Sequence, residues 1–303
     1  MSAIRAKPMS ETEAKGGKGA SARILIGIAT RNRANLLPKA LASALSQSAV
    51  GVQVAVIDDA STDDTARLRI DFPQIDWTFR AAPQGCMSAR NEFMGREVFD
   101  YFVSLDDDAW FLQGDELEIA LAEFDKDPSL AAVAFDILSP DRTQARPRGA
   151  AQPAGMFIGC GHMLRLSAIR MVGHYAPTPG GYGGEEKDLC LRLIDAGRKI
   201  ILLPGVHVWH DKTMVARDIA SQHRSGVCND LAMAVRRAPL ALLPAIVAIK
   251  LARHLSYSWR AGLMTPCLSG LALMAGSLPL VWRWRKPVRL RTLRAYSTLS
   301  RQS

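Results

Sequence analysis

The run Tyr101-Phe102-Val103-Ser104-Leu105-Asp106-Asp107-Asp108 constrains this chain more than any other stretch. Tyr, Phe and Val favour strands, and three adjacent aspartates do not continue a buried one. A strand therefore ends at the triplet, where three like charges need a counterweight. Either they are solvated in an exposed turn, or a divalent cation neutralises them, since such ions prefer hard carboxylate oxygens.

The chain around the triplet repeats this pattern. Arg23 to Ala29 is rich in β-branched and aliphatic residues, as in a buried parallel strand. The polar turn Thr30-Arg31-Asn32-Arg33 follows, then a helix that Asn35 can cap, with Leu37, Ala40, Leu41 and Ala44 at helical spacing. Val52 to Ile57 reads as a second strand, ending in Asp58-Asp59, after which Ser61 or Thr62 caps a helix to about Ile70. Ile75 to Arg80 reads as a short strand, and Gly85 to Phe99 as a helix carrying Arg90 and Asn91. Beyond the triplet come a helix from about Asp115 to Phe124, a strand from Leu130 to Leu138, and a loop from Ser139 to Gln152 rich in Arg, Pro and Gly. This alternation predicts an α/β chain with a Rossmann-like, mostly parallel, doubly wound sheet flanked by helices. Ligands of such sheets bind beyond the C-terminal ends of the strands, so Asp58-Asp59 and the triplet should face one crevice.

A further acidic segment follows the Gly-rich loop Thr178 to Gly184. Residues 185 to 195 read as a helix that stops at Gly197. Glu185, Asp188, Arg192 and Asp195 form one line of that helix and read as paired surface charges. Glu186 shares the opposite line with Leu189, Cys190 and Leu193. A carboxylate pointing with core residues at a helix N-terminus is favoured by the dipole, while burial raises its pKa; a general base is expected there. Lys199 to Leu203 predicts another strand, and His207 and His210 follow it. A lone histidine is more often structural than a ligand, but His210 lies where the chain could return to the crevice.

Charge is unevenly distributed. Twelve of the 38 cations and none of the 29 carboxylates lie beyond Asp230, so the formal charge of +9 belongs to a basic, apolar C-terminal section. These cations flank oily segments rather than interleaving with a soluble aromatic face, which argues for an anionic membrane surface and against nucleic acid. Ala261 to Trp282 is uncharged over 22 residues, against about 20 for one bilayer crossing. Pro266, Pro279 and several glycines interrupt it. We expect broken or amphipathic helices lying in the cytoplasmic leaflet, with Trp259, Trp282, Trp284 and the Arg-rich tail as anchors. A helical pair packed on the rest of the chain, or at an oligomer interface, is the bland alternative. Five scattered cysteines without a CxxC pair read as reduced thiols. Residues 1–21 lack an apolar signal region and read as a disordered tail.

Four segments in order resemble family 2 glycosyltransferases, inverting enzymes of the GT-A fold. They are Ile28-Ala29-Thr30-Arg31-Asn32-Arg33; Val56 to Thr65, with Asp58-Asp59-Ala60-Ser61; Gly85 to Asn91 together with Leu105 to Asp108; and Gly184-Glu185-Glu186-Lys187-Asp188-Leu189 through Leu193. The resemblance covers about residues 23 to 237. It implies a GT-A catalytic domain over 22–237, with 238–303 as the helical, membrane-associating extension. It implies a nucleotide-sugar donor, usually of UDP, and a glycan or lipid-linked acceptor. Asp59, with Ala29, Thr30 and Arg31, would meet the nucleotide base, and Arg90 would approach the nucleotide. Asp106 and Asp107 would meet the ribose and the water shell of a Mg²⁺ or Mn²⁺ ion. Asp108 would ligate that ion, and His210 matches a histidine that some members add. Glu186 stands where the family usually has a catalytic aspartate, a departure that moves the carboxylate by one methylene. The implied location is cytoplasmic, peripheral on the inner face of the cell membrane. A nucleotidyltransferase would instead carry a Gly-rich phosphate loop after the first strand, and a non-catalytic scaffold of the same fold would have lost the acidic motifs.

Overall fold

The computed structural model describes residues 22–181, 183–212 and 218–300. The expected N-terminal tail and Tyr182 of the Gly-rich loop lie outside them. Nine strands form one sheet: β1 (Ile24–Thr30), β2 (Val52–Asp58), β3 (Asp76–Phe79), β4 (Tyr101–Asp106), β5 (Ala109–Phe111), β6 (Leu130–Leu138), β7 (Gln152–Pro153), β8 (Gly161–Arg165) and β9 (Lys199–His210). The spatial order is β3-β2-β1-β4-β8-β6-β9-β5, with β7 beside β9. The first four strands are parallel; β8 then enters antiparallel between β4 and β6, so the far half is mixed. β5 follows β4 after two residues, yet it pairs with β9 at the other end of the order. The sheet must therefore curl until its last strand meets the continuation of its fourth.

Helices cover both faces, as the burial of nearly every β1, β4 and β6 residue requires. On one side lie α1 (Leu37–Leu45) and α4 (Glu116–Lys126). On the other lie α3 (Cys86–Met94), α5 (Leu166–Val172) and α6 (Glu185–Asp195). The short α2 (Leu68–Asp71) follows β2. Gly27 lets α3 approach: a Cβ there would stand 2.5 Å from the Phe93 ring.

Several local expectations change. Asn35 does not cap α1; the cap position is Leu36, without a side-chain bond, and Pro38 presets the first turn. Asp63 caps the turn after β2, in place of Ser61 or Thr62, by accepting from the Thr65 amide. The helix expected over residues 85–99 ends at Met94, before Gly95. The strand expected over 199–203 runs on to His210.

Helix α6 carries the largest correction. Glu185 and Asp188, read as surface charges, are buried, whereas the side chain of Glu186 retains 18% exposure. Other segments pack over the line that sequence periodicity assigns to solvent: Asp188 meets Arg237 of α7 (Ile219–Arg237), and Arg192 donates to the Val172, Gly173 and His174 carbonyls at the end of α5. Asp188 accepts two bonds from Arg237, at 2.6 and 3.0 Å, and one from Arg192 at 2.9 Å. A buried carboxylate survives because two guanidiniums pair with it.

Beyond α7, α8 (Leu243–Ala261) and α9 (Met264–Arg283) complete a three-helix layer around Val227, Leu231, Cys267 and Met274. Gly270 lets α9 lie against α7, because a Cβ would come within 2.5 Å of the Arg224 carbonyl. α10 (Leu290–Leu299) folds back on α6, where Asp195 accepts from Thr292 at 2.6 Å and from Arg289. Arg285 donates to the Val235 and Ala238 carbonyls. Part of the Arg-rich tail therefore ties the extension to the sheet domain instead of standing free.

Removing one partner of a buried, hydrogen-bonded ion pair typically costs about 3–5 kcal/mol. Asp188→Ala strands Arg237 and should lower the urea-unfolding free energy by that order; a loss below about 1 kcal/mol would mean that the pair does not join α6 to α7.

Candidate active site

The crevice opens at the C-terminal ends of β1, β2 and β4. Its main cavity, about 430 Å³, is lined by Ala29, Thr30, Arg31, Arg33, Asp59, Cys86, Arg90, the Asp106–Asp108 triplet and His210, with Asp218, Ser221, Gln222 and Ser225 from the start of α7. A neighbouring cleft of about 350 Å³ shares Arg90, Asp106 and His210, and adds Glu186, Lys187 and residues 156–160. The expected base, nucleotide and metal residues thus meet in two joined hollows, Glu186 in the second and the others in the first; Asp58 and His207 line neither.

Asp59 sits where β2 ends. It accepts from the Gln84 and Gly85 amides, at 2.9 and 2.7 Å, and from Arg80 at 2.9 Å. Burial opposes its ionisation, but these donors outweigh burial and lower its pKa. It therefore fixes the loop entering α3 from beneath the cavity.

The triplet is split by geometry. Asp106 is the last residue of β4, and Arg90 donates to it at 2.6 Å. Asp107 accepts from Thr30 at 2.8 Å and Arg33 at 2.9 Å. Burial nevertheless pushes its carboxyl up to about 6, only partly offset by Arg33 and Thr30. Asp108 accepts from the same Arg33 at 3.0 Å and stands 3.2 Å from the His210 imidazole. Burial opposes its ionisation too, but His210 and Arg33 prevail and hold it at about 2. His210 reaches this place because Ala109 of β5 pairs with it across the sheet. His207 turns elsewhere, 2.8 Å from the Gln113 amide.

Glu186 occupies the first turn of α6, after Gly183 and Gly184, both at φ +92°, a conformation that glycine adopts without strain. Arg90 donates to it at 3.3 Å. Burial, reinforced by the adjacent Glu185, pushes the Glu186 carboxyl up to about 7 against the pull of Arg90. Such a group can exchange a proton near neutral pH. Arg90 itself is buried, and Gly159 makes room for the contact: a Cβ there would meet Glu186 at 2.5 Å and Arg90 at 2.9 Å.

A divalent cation fits this donor set. Asp106, His210 and Cys160 offer ligand atoms all within 4.8 Å of one another, and Asp108 is in contact with His210. Sequence reasoning left Arg33, Arg80, Gly159 and Cys160 without roles. Arg33 had a signal, since it closes the polar turn after β1. Arg80, Gly159 and Cys160 come from loops with no local pattern.

The family model for glycosyl transferase family 2 matches residues 25–177, and the chain belongs to that family. It is 29% identical over 218 residues to the pre-mycofactocin glycosyltransferase of Mycobacterium tuberculosis, an alignment covering 64% of this chain and 44% of that relative. The chain thus spans less than half the length of the curated relative it matches. Its fold is GT-A. Among solved structures, TarS 1–349 of S. aureus in complex with UDP-GlcNAc aligns with a TM-score of 0.62 at 15% identity, covering 92% of this chain and 91% of that one. The mannosyltransferase PcManGT of Pyrobaculum calidifontis, in complex with GDP-Man and Mn²⁺, aligns at 0.56 and 17% identity, covering 95% and 90%.

Arg90 pulls the Glu186 pKa down against burial, so Arg90→Met should raise it further. In a carboxyl-carbon NMR titration, the wild-type Glu186 signal should move with a midpoint near 7 and the variant signal at higher pH. An unchanged or lower midpoint would remove Arg90 from this role.

Proposed function

We propose that the chain transfers a sugar from a nucleotide sugar, with UDP as the carrier, to a hydroxyl of a glycan or lipid-linked acceptor, with inversion at the anomeric carbon. The observation that carries this reading is Glu186, a carboxylate of raised pKa in a cleft that joins a nucleotide-sized cavity through Arg90, Asp106 and His210. Family membership and the nucleotide sugars bound by TarS and PcManGT support the donor class.

The donor's base would lie against Ala29, Thr30, Arg31 and Asp59, the residues at the β1 and β2 end of the cavity. Asp106 and Asp107 would accept from the ribose or from ordered water, while Arg90 would face the negative charge of the diphosphate. Asp108 and His210 would hold Mg²⁺ or Mn²⁺, in keeping with the Mn²⁺ of PcManGT. When bound, that ion supplies Lewis-acid stabilisation of charge developing on the diphosphate. Glu186 takes the proton of the acceptor hydroxyl as its oxygen attacks the face opposite the leaving diphosphate. The base must be ionised, so the rate should rise with pH through about 7 and level off above it.

Residues 240–261 and 264–283 are each long and apolar enough to cross a membrane, by length and composition, with mean hydropathies of 1.3 and 1.5. Trp259, Tyr257, Ile249, Leu268 and Trp282 are exposed on them. The buried α7–α9 contact supports attachment along the membrane surface, with Arg253, Arg260 and Arg283 exposed to anionic lipid.

Glu186→Gln should reduce transfer roughly 10²–10⁴-fold while calorimetric binding of UDP in Mn²⁺ persists; near-normal transfer would exclude Glu186 as the base. The screen that establishes the donor is metal-dependent diphosphate release from a panel of nucleotide sugars, with and without membrane extract. Adding phosphatidylglycerol vesicles should blue-shift tryptophan fluorescence, and Trp259→Ala/Trp282→Ala should diminish the shift. No shift on these vesicles would contradict surface attachment.

A further inference from the structure

Among the crevice side chains that the transfer reaction leaves unused is a buried thiol. Cys160 is a free thiol, 1% exposed, in the tight turn before β8. The antiparallel register pairs Gly161 with Leu105, which brings Cys160 beside Asp106. The curl of the sheet brings His210 from β9 to the same point. The result is a carboxylate oxygen, a sulfur and an imidazole nitrogen within 4.8 Å of one another, from three segments distant in sequence. Gly159 holds the turn close, since its missing side chain is what admits Glu186 and Arg90.

We propose that Asp106, Cys160 and His210 form a site for a thiophilic divalent cation such as Zn²⁺, Co²⁺ or Cd²⁺, competing with the hard cation of the transfer reaction. The competition rests on the proposed reading, which gives His210 to the hard cation and Asp106 to the donor; the sulfur site itself does not. Mg²⁺ and Mn²⁺ favour oxygen, whereas Zn²⁺ and its analogues take sulfur, nitrogen and oxygen together in tetrahedral sites. Ligand atoms stand about 2.0–2.3 Å from zinc, so small side-chain rotations must draw the trio inward. As the metal–sulfur bond forms, the thiol proton leaves to water; no electrons are exchanged. A bound thiophilic ion occupies the space between the two hollows. Soft cations are therefore inhibitors of this enzyme, acting through a side chain that hard cations do not need.

Cobalt(II) tests this without donor or turnover. Titrating the metal-free full chain with Co²⁺ should produce near-ultraviolet sulfur-to-cobalt charge-transfer absorption that saturates at one equivalent. Cys160→Ser should abolish that band, and Cys86→Ser, which alters the other cysteine of the cavity, should retain it. His210→Ala, with every cysteine intact, should weaken Co²⁺ binding roughly 10–100-fold or more, because even outer-shell partners are worth that much. No band in the wild-type protein, or a band that survives Cys160→Ser, overturns the proposal. So does unchanged Co²⁺ affinity in His210→Ala, a readout that holds if Cys160→Ser does not fold. A missing band with intact metal-dependent transfer refutes the sulfur site alone; an intact band without transfer from any donor refutes the transferase reading alone.

Discussion

The site depends on one buried guanidinium. Arg90 extends from α3 between Asp106 at the end of β4 and Glu186 at the start of α6. A guanidinium cannot lose water without acceptors, and two carboxylates in a confined space cannot both ionise without a cation. Each requirement meets the other here. The arrangement joins the parallel half of the sheet to the helix after the Gly-rich loop, and it has room only because residue 159 lacks a side chain. The two hollows thus become neighbours across Arg90 and Asp106, with His210 beside them.

A second guanidinium does similar work one turn away. Arg33 touches both Asp107 and Asp108, yet the two carboxyls diverge, to about 6 and about 2. Their difference comes from surroundings, not sequence. Asp107 is enclosed and must rely on Arg33 and Thr30, whereas Asp108 also has His210 at 3.2 Å. The three aspartates are consequently unequal. Asp106 faces the space between the hollows, Asp107 ties the triplet to β1, and Asp108 ties it to β9.

Much of this was legible in residue order. Apolar runs ending in Asp58-Asp59 and in the triplet marked two strand ends, and parallel topology required those ends to converge. Glu186 stood out because a carboxylate occupied an apolar helix line. The same periodicity misjudged Glu185 and Asp188; the partner of Asp188, Arg237, comes from α7, dozens of residues further on. Strand β8 was likewise not anticipated over residues 161–165, and no local pattern would have given its direction. With it went Cys160, whose place beside Asp106 follows only from that pairing. The C-terminal arginines read as free cations until Asp195 and the α7 carbonyls accounted for Arg289 and Arg285.

The central claim is that a base on α6 drives attack from the face opposite the diphosphate. Slow hydrolysis of the donor tests it without a known acceptor, because water takes the acceptor's place. Proton NMR of the first sugar released from an α-linked UDP-sugar, recorded before mutarotation, should show the β-anomer. Release of the α-anomer first would contradict a single displacement and the geometry assigned to Glu186.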